Sequence, residues 1–150
     1  MQVRRTLHAA REEVFRAWTD PKLVVEWFKP RGGSSPSAEV DLRVGGKYRW
    51  GMKLLGHSYY AVGEYIEVDP PKRLAFTFGW EHAVVRLTDS LVIVDFIDHG
   101  DQTELVITHE RLPNRAMRAL HGIGWRGLLK DLDQLIRRRP AVSSHRFAGG

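Results

Sequence analysis

Apolar and polar positions alternate at the start of the chain, with Val3, Arg5 and Leu7 on one side and Arg4 and Thr6 on the other. That spacing predicts a strand over residues 2 to 8 with one buried face. The period then lengthens. Val14, Phe15, Ala17 and Trp18 recur at helical spacing behind Glu12 and Glu13, whose charges suit a helix start, so a short helix is expected up to Thr19. Asp20 is a good N-cap and Pro21 a good first helical residue, which predicts a second short helix over Lys22 to Phe28. Pro30 and the run from Gly32 to Ser37 end it.

Period-two segments follow in succession: Ala38 to Arg43, Lys47 to Leu54, Ser58 to Val68, Arg73 to Trp80, Thr88 to Ile97 and Thr103 to Arg111. The connectors Gly45-Gly46, Asp69-Pro70-Pro71-Lys72 and Asp98-His99-Gly100-Asp101 have turn chemistry. No helical pattern of crossover length separates these strands. The expectation is therefore an α+β domain with an antiparallel sheet of about seven strands, and not a parallel βαβ sheet. After Pro113-Asn114, the residues Met117, Leu120, Gly124, Leu128, Leu132 and Leu135 recur every three or four, so one amphipathic helix is predicted from Asn114 to Arg138. At about 1.5 Å per residue it would run roughly 37 Å, enough to cross the sheet. A single domain over residues 1 to 138 with a flexible tail over 139 to 150 is expected.

The net charge of +5 suggests a nucleic-acid partner at first sight. Arg137, Arg138, Arg139 and Arg146 account for four of those charges, and removing them leaves +1 for residues 1 to 136, so no nucleic acid is expected. Cysteine is absent, which removes disulfides and thiolate chemistry and makes the cytoplasm the simplest setting. No apolar run reaches bilayer-spanning length, so no membrane insertion is expected. The histidines show neither HxH nor HExxH spacing, and neither a metal nor any other cofactor is expected.

Several short segments, in order, resemble the activator of Hsp90 ATPase homologue 1-like family, within the START and Bet v 1-like (SRPBCC) superfamily. They are Thr19-Asp20-Pro21 with Trp27 after it, Asp41-Leu42-Arg43-Val44-Gly45-Gly46, Val68-Asp69-Pro70-Pro71-Lys72-Arg73-Leu74, Thr103-Glu104-Leu105 leading to Thr108-His109, and Gly124-Trp125. The resemblance covers about residues 3 to 137. It implies a helix-grip fold, in which a curved sheet wraps the C-terminal helix around an internal cavity, and it brings no fixed catalytic set. The eukaryotic co-chaperone of this family carries a further N-terminal domain that does much of the chaperone binding. Because no such domain precedes residue 1, an Hsp90-type chaperone is not expected as a partner.

Within that fold the candidate cavity residues follow from face and period. Trp27 comes from the second helix, Tyr48 and Trp50 from one strand, and Phe76, Phe78 and Trp80 from another. His121, Gly124, Trp125 and Leu128 share the inward face of the last helix. His109 follows Leu105 and Ile107 inward, and two inward imidazoles would orient a polar head group; a histidine satisfied by a backbone carbonyl is the alternative for His121. Glu64, read inward with Val62 and Ile66, should be paired by Arg49 or Arg43, unless a strand edge or bulge turns it to water.

Gly122-Ile123-Gly124-Trp125-Arg126-Gly127 has dinucleotide-fingerprint spacing but sits inside a helical pattern, so it is not read as a nucleotide loop. Its glycines serve either close helix-on-sheet packing or volume for a ligand. The leading expectation is a protein that holds a small apolar or amphipathic molecule. A cyclase- or hydrolase-like enzyme using Glu64, His109 or His121 as acid or base, and a co-chaperone-like interaction protein, are the alternatives. Exposed strand edges leave a homodimer open.

Overall fold

The computed structural model describes residues 1–81 and 90–139. Strand β1 (Gln2–Leu7) is followed by helices α1 (Arg11–Thr19) and α2 (Pro21–Trp27), then by β2 (Ala38–Val40), β3 (Lys47–Leu54), β4 (His57–Asp69), β5 (Arg73–Glu81), β6 (Ser90–Asp98) and β7 (Thr103–Glu110), and last by helix α3 (Arg115–Arg138). The strands form one antiparallel sheet in the order β1-β7-β6-β5-β4-β3-β2. The two short helices carry the chain from one edge of the sheet to the other. Each later strand then pairs with its sequence neighbour until β7 meets β1, which is the helix-grip order.

Local chemistry sets the boundaries. The Asp20 side chain accepts from the Lys22 backbone N–H at 2.9 Å with Pro21 behind it, and Asn114 does the same for Met117 at 2.9 Å, so both helix starts are capped. Trp18 of α1 holds the layers together. Its ring centroid lies 4.8 Å from Trp27 on α2, 6.1 Å from Trp50 on β3 and 5.8 Å from Trp125 on α3. A second tie is polar: Arg5 of β1 reaches Asp133 of α3 at 2.8 Å, and Arg137 bonds the other oxygen of that buried carboxylate at 3.1 Å.

Two expectations need correction. The second strand ends at Val40, because Asp41 to Gly46 folds into a loop whose Gly45 (φ +85°) and Gly46 dock on Tyr65 of β4 through Gly45 N–H to Tyr65 O and Tyr65 N–H to Gly46 O, each 2.8 Å. Small boundary differences of one or two residues occur at the other elements. Glu64 faces out and is exposed. Its strand pairs Trp50 with Ala61 and Tyr48 with Gly63, so odd residues up to Tyr65 share the inward face; the register then shifts between Tyr65 and Glu67, and Val68 faces in opposite Leu74. A bulge exchanges inside and outside, so extrapolating back from Val68 puts Glu64 on the wrong face. Arg49 pairs instead with Glu81 at 2.8 Å and Arg43 with Asp41 at 3.0 Å. Thr88 and Asp89 of the expected sixth strand, and residues 140–150 of the expected tail, lie outside the described residues.

Candidate functional site

Alternation on β5 puts Leu74, Phe76, Phe78 and Trp80 on the concave face, and the 3.6-residue period of α3 puts His121, Trp125 and Leu128 opposite them. Toward one end the layers separate into an open groove of about 1090 Å³. Phe78 and Trp80 form its floor, α3 from Leu120 to Gln134 one wall, and the segment from Phe28 to Gly33 with Met52 and Tyr59 the other. The lining is mostly apolar.

Two glycines shape the helix wall. Gly124 and Gly127 line the groove, and a Cβ on either would meet nothing within 4 Å. Close packing does not explain them. Each costs a helix interior about 1 kcal/mol relative to alanine, and what their bareness provides here is volume. Gly122, the third, faces Met1 and its own helix neighbour Arg126 at ordinary contact distances. The dinucleotide-like spacing therefore lies wholly inside α3, with no strand running into it.

At the inner end, two tryptophan–histidine pairs surround Phe78. Ser90 Oγ lies 2.6 Å from the Phe78 carbonyl and donates to it, so it accepts from His109 Nε2–H at 2.9 Å. His109 Nδ1 then accepts the Trp125 indole N–H at 3.1 Å. This chain fixes His109 as the neutral Nε2–H tautomer, and burial, with His121 beside it, lowers its pKa to about 3. His121 donates Nδ1–H to the Met117 carbonyl at 2.9 Å, and its Nε2 accepts from Trp80 at 3.3 Å. Burial lowers its pKa as well, against the opposing pull of that carbonyl.

Of the twelve residues singled out in the sequence, Phe78, Trp80, His121, Gly124, Trp125 and Leu128 come together around the groove. His109 lies directly behind, through Trp125. Trp27, Tyr48, Trp50 and Phe76 are in the closed aromatic core, which the bulky Trp18 fills from α1. Glu64 is on the opposite face of the sheet. Contributors that went unread include the loop Lys29 to Gly33, the hairpin residues Met52 and Tyr59, Lys130 and Asp131 on α3, and Ser90. Ser90 had a signal, since period two back from Phe96, Val94 and Val92 places its hydroxyl inward. The loop had none, because its position depends on how α2 leaves the sheet.

Chemically, the end of the groove around Phe78 is apolar, and the polar groups there are already bonded to one another. Both nitrogens of each imidazole are engaged within the protein, so the expected orientation of a head group by two inward imidazoles is not what they are built for. The Trp80 contact to His121 is long and is the one a ligand most easily redirects. Among the described residues, no group of three or more His, Asp or Glu is placed to hold a metal ion.

The model of the family described as activator of Hsp90 ATPase homolog 1-like protein matches residues 8–137. The chain belongs to this family. Solved structures place it within the family's fold. A protein from Chromobacterium violaceum is 26% identical with a TM-score of 0.78, covering 93% of this chain and 98% of that one. The AHSA1 protein from Silicibacter pomeroyi is 25% identical with a TM-score of 0.78, covering 91% and 96%. An HSP90 activator from Plasmodium falciparum is 23% identical with a TM-score of 0.67, covering 91% and 94%, and shares the fold alone. No curated protein matches significantly. Among the described residues no helix of this family member is long and apolar enough to cross a membrane.

Proposed function

We propose that this chain is a small-molecule-binding protein that holds a mainly apolar ligand in the groove between β5, the β3–β4 hairpin and α3. The observation that carries the reading is the pair Gly124 and Gly127, two helix-weakening residues that line the groove and whose missing side chains leave open space there. A volume of about 1090 Å³ lies just above the usual range for small-molecule sites, as suits an open groove. Phe78, Trp80 and Trp125 supply broad apolar contact there.

Binding is favoured over acid–base catalysis because Glu64 is remote from the groove and His109 is sealed behind Trp125. Of the three acid–base candidates His121 alone lines the groove, and it is already bonded on both nitrogens. Native mass spectrometry of gently purified protein, with a thermal-shift screen of fatty acids, aromatics and polyketide-like compounds, tests the reading. A co-purified adduct, or a melting temperature that rises with ligand concentration, is the expected result. A bare mass with no shift across the panel would overturn it.

A further inference from the structure

The groove has a charged mouth. Among its described lining residues are three cations, Lys29 and Arg31 on the loop after α2 and Lys130 on α3, against one acid, Asp131. No side-chain hydrogen bond or ion pair holds any of the three among the described residues, whereas Arg5, Arg49 and Arg73 elsewhere are each tied to carboxylates. A single unpaired surface lysine is ordinary. Three cations from two segments lining one mostly apolar groove attract an anion where the low-dielectric wall strengthens the interaction. General basicity does not account for them, since residues 1 to 136 carry a net charge of only +1.

The inner end takes no charge. His109 and His121 are neutral, their nitrogens are bonded to Trp125, Ser90, Met117 and Trp80, and Phe78 packs between them. An ionised group pushed there would lose its hydration with no partner to replace it. Along α3, the charge of Lys130 is separated from this apolar end. His121 and Lys130 stand nine residues apart, roughly 13 Å at about 1.5 Å per residue.

Resting on the binding reading above, we infer that the ligand is an amphipathic anion, lying with its apolar body along Trp80, Gly124 and Leu128 and its anionic head among Lys29, Arg31 and Lys130. Dodecanoate matches that length and charge. The test is calorimetric titration, at submicellar concentration, of dodecanoate, dodecanol and dodecyltrimethylammonium into the full chain and into the Lys29→Gln/Arg31→Gln/Lys130→Gln variant. That variant changes only exposed or half-exposed side chains, and circular dichroism checks its fold. The full chain should bind dodecanoate about tenfold more tightly than dodecanol, the ammonium compound should bind weakest, and the variant should lose the preference, binding dodecanoate no more tightly than it binds dodecanol. Dodecanol binding as tightly as dodecanoate, or a preference that survives in the variant, would overturn the anionic head while leaving the groove a binding site. Failure of all three compounds to bind the full chain would overturn both.

Discussion

Gly124 and Gly127 are where sequence cost and structural purpose meet most directly. Replacing both with alanine should raise the free energy of unfolding by about 1–2 kcal/mol, because alanine is the better helix former and both sites are open. The same two methyl groups enter the groove, so ligand-induced stabilisation should shrink. Urea denaturation without ligand and thermal shift with it read the two effects separately; a stabilised variant that binds as before would remove the glycines from the functional argument. The Trp125–His109–Ser90 chain behaves in the opposite sense. Trp125→Phe keeps the ring packing but strands His109 Nδ1 in the interior, and should cost about 1–3 kcal/mol in chemical denaturation, the penalty of an unmade buried hydrogen bond. Glu64 shows how one residue is misplaced: its neighbours Val62 and Ile66 suggest a buried face, yet it is the small Ala61 and Gly63 that face in. At Gly63 a Cβ would strike the Thr77 carbonyl, so that inward position admits only glycine and carries no hydrophobic signal.

Among elements, α3 has to stay seated on the sheet at one end while the groove opens at the other. Trp125 and Leu132 seat it through the core, and Asp133 locks it to β1 through Arg5. Arg5→Met should destabilise the fold by about 2 kcal/mol, the scale of hydrogen bonds to a charged group, by leaving the buried Asp133 carboxylate with Arg137 alone. The denaturation midpoint checks it; an unchanged midpoint would mean that the aromatic core holds the helix unaided. Amphipathic period made α3 legible from end to end, and caps at Asp20 and Asn114 made the helix starts legible. The bulge in β4 was not legible, because a one-residue register shift leaves no mark in composition when it falls between Tyr65 and Glu67, both acceptable strand residues.

For the whole molecule, pH is the most direct probe of the inner end of the groove. His109 has an ordinary pKa of 6.5 when unfolded and about 3 when folded, so between those values the unfolded chain binds the proton and the native state does not. Stability is therefore full above pH 6.5 and falls with acidification, by at most about 1.4 kcal/mol per pH unit from this group, or roughly 2 kcal/mol by pH 5. His121, lowered in the same direction, adds to the slope. Urea titrations at pH 7 and pH 5 should show the loss, and His109→Gln should flatten it; an equally steep decline in that variant would place the acid sensitivity elsewhere.

The order of elements, the antiparallel sheet, the long helix and the family were all readable in the chain, because they rest on periodicity and on short ordered motifs that local propensity preserves. So were half of the groove's candidate residues, those whose face follows from unbroken period on β5 and α3. Which aromatics close into core and which stay open was decided by tertiary structure alone. Trp50 and Phe76 have the same strand alternation as Phe78 and Trp80, and what separates them is Trp18, which reaches across from α1 to fill one end of the space beneath α3, while the other end faces two bare glycines. The cations at the mouth were hidden for a related reason. Lys29 and Arg31 lie a hundred residues from Lys130, and only folding brings a loop without pattern against a helix whose pattern speaks of its buried face.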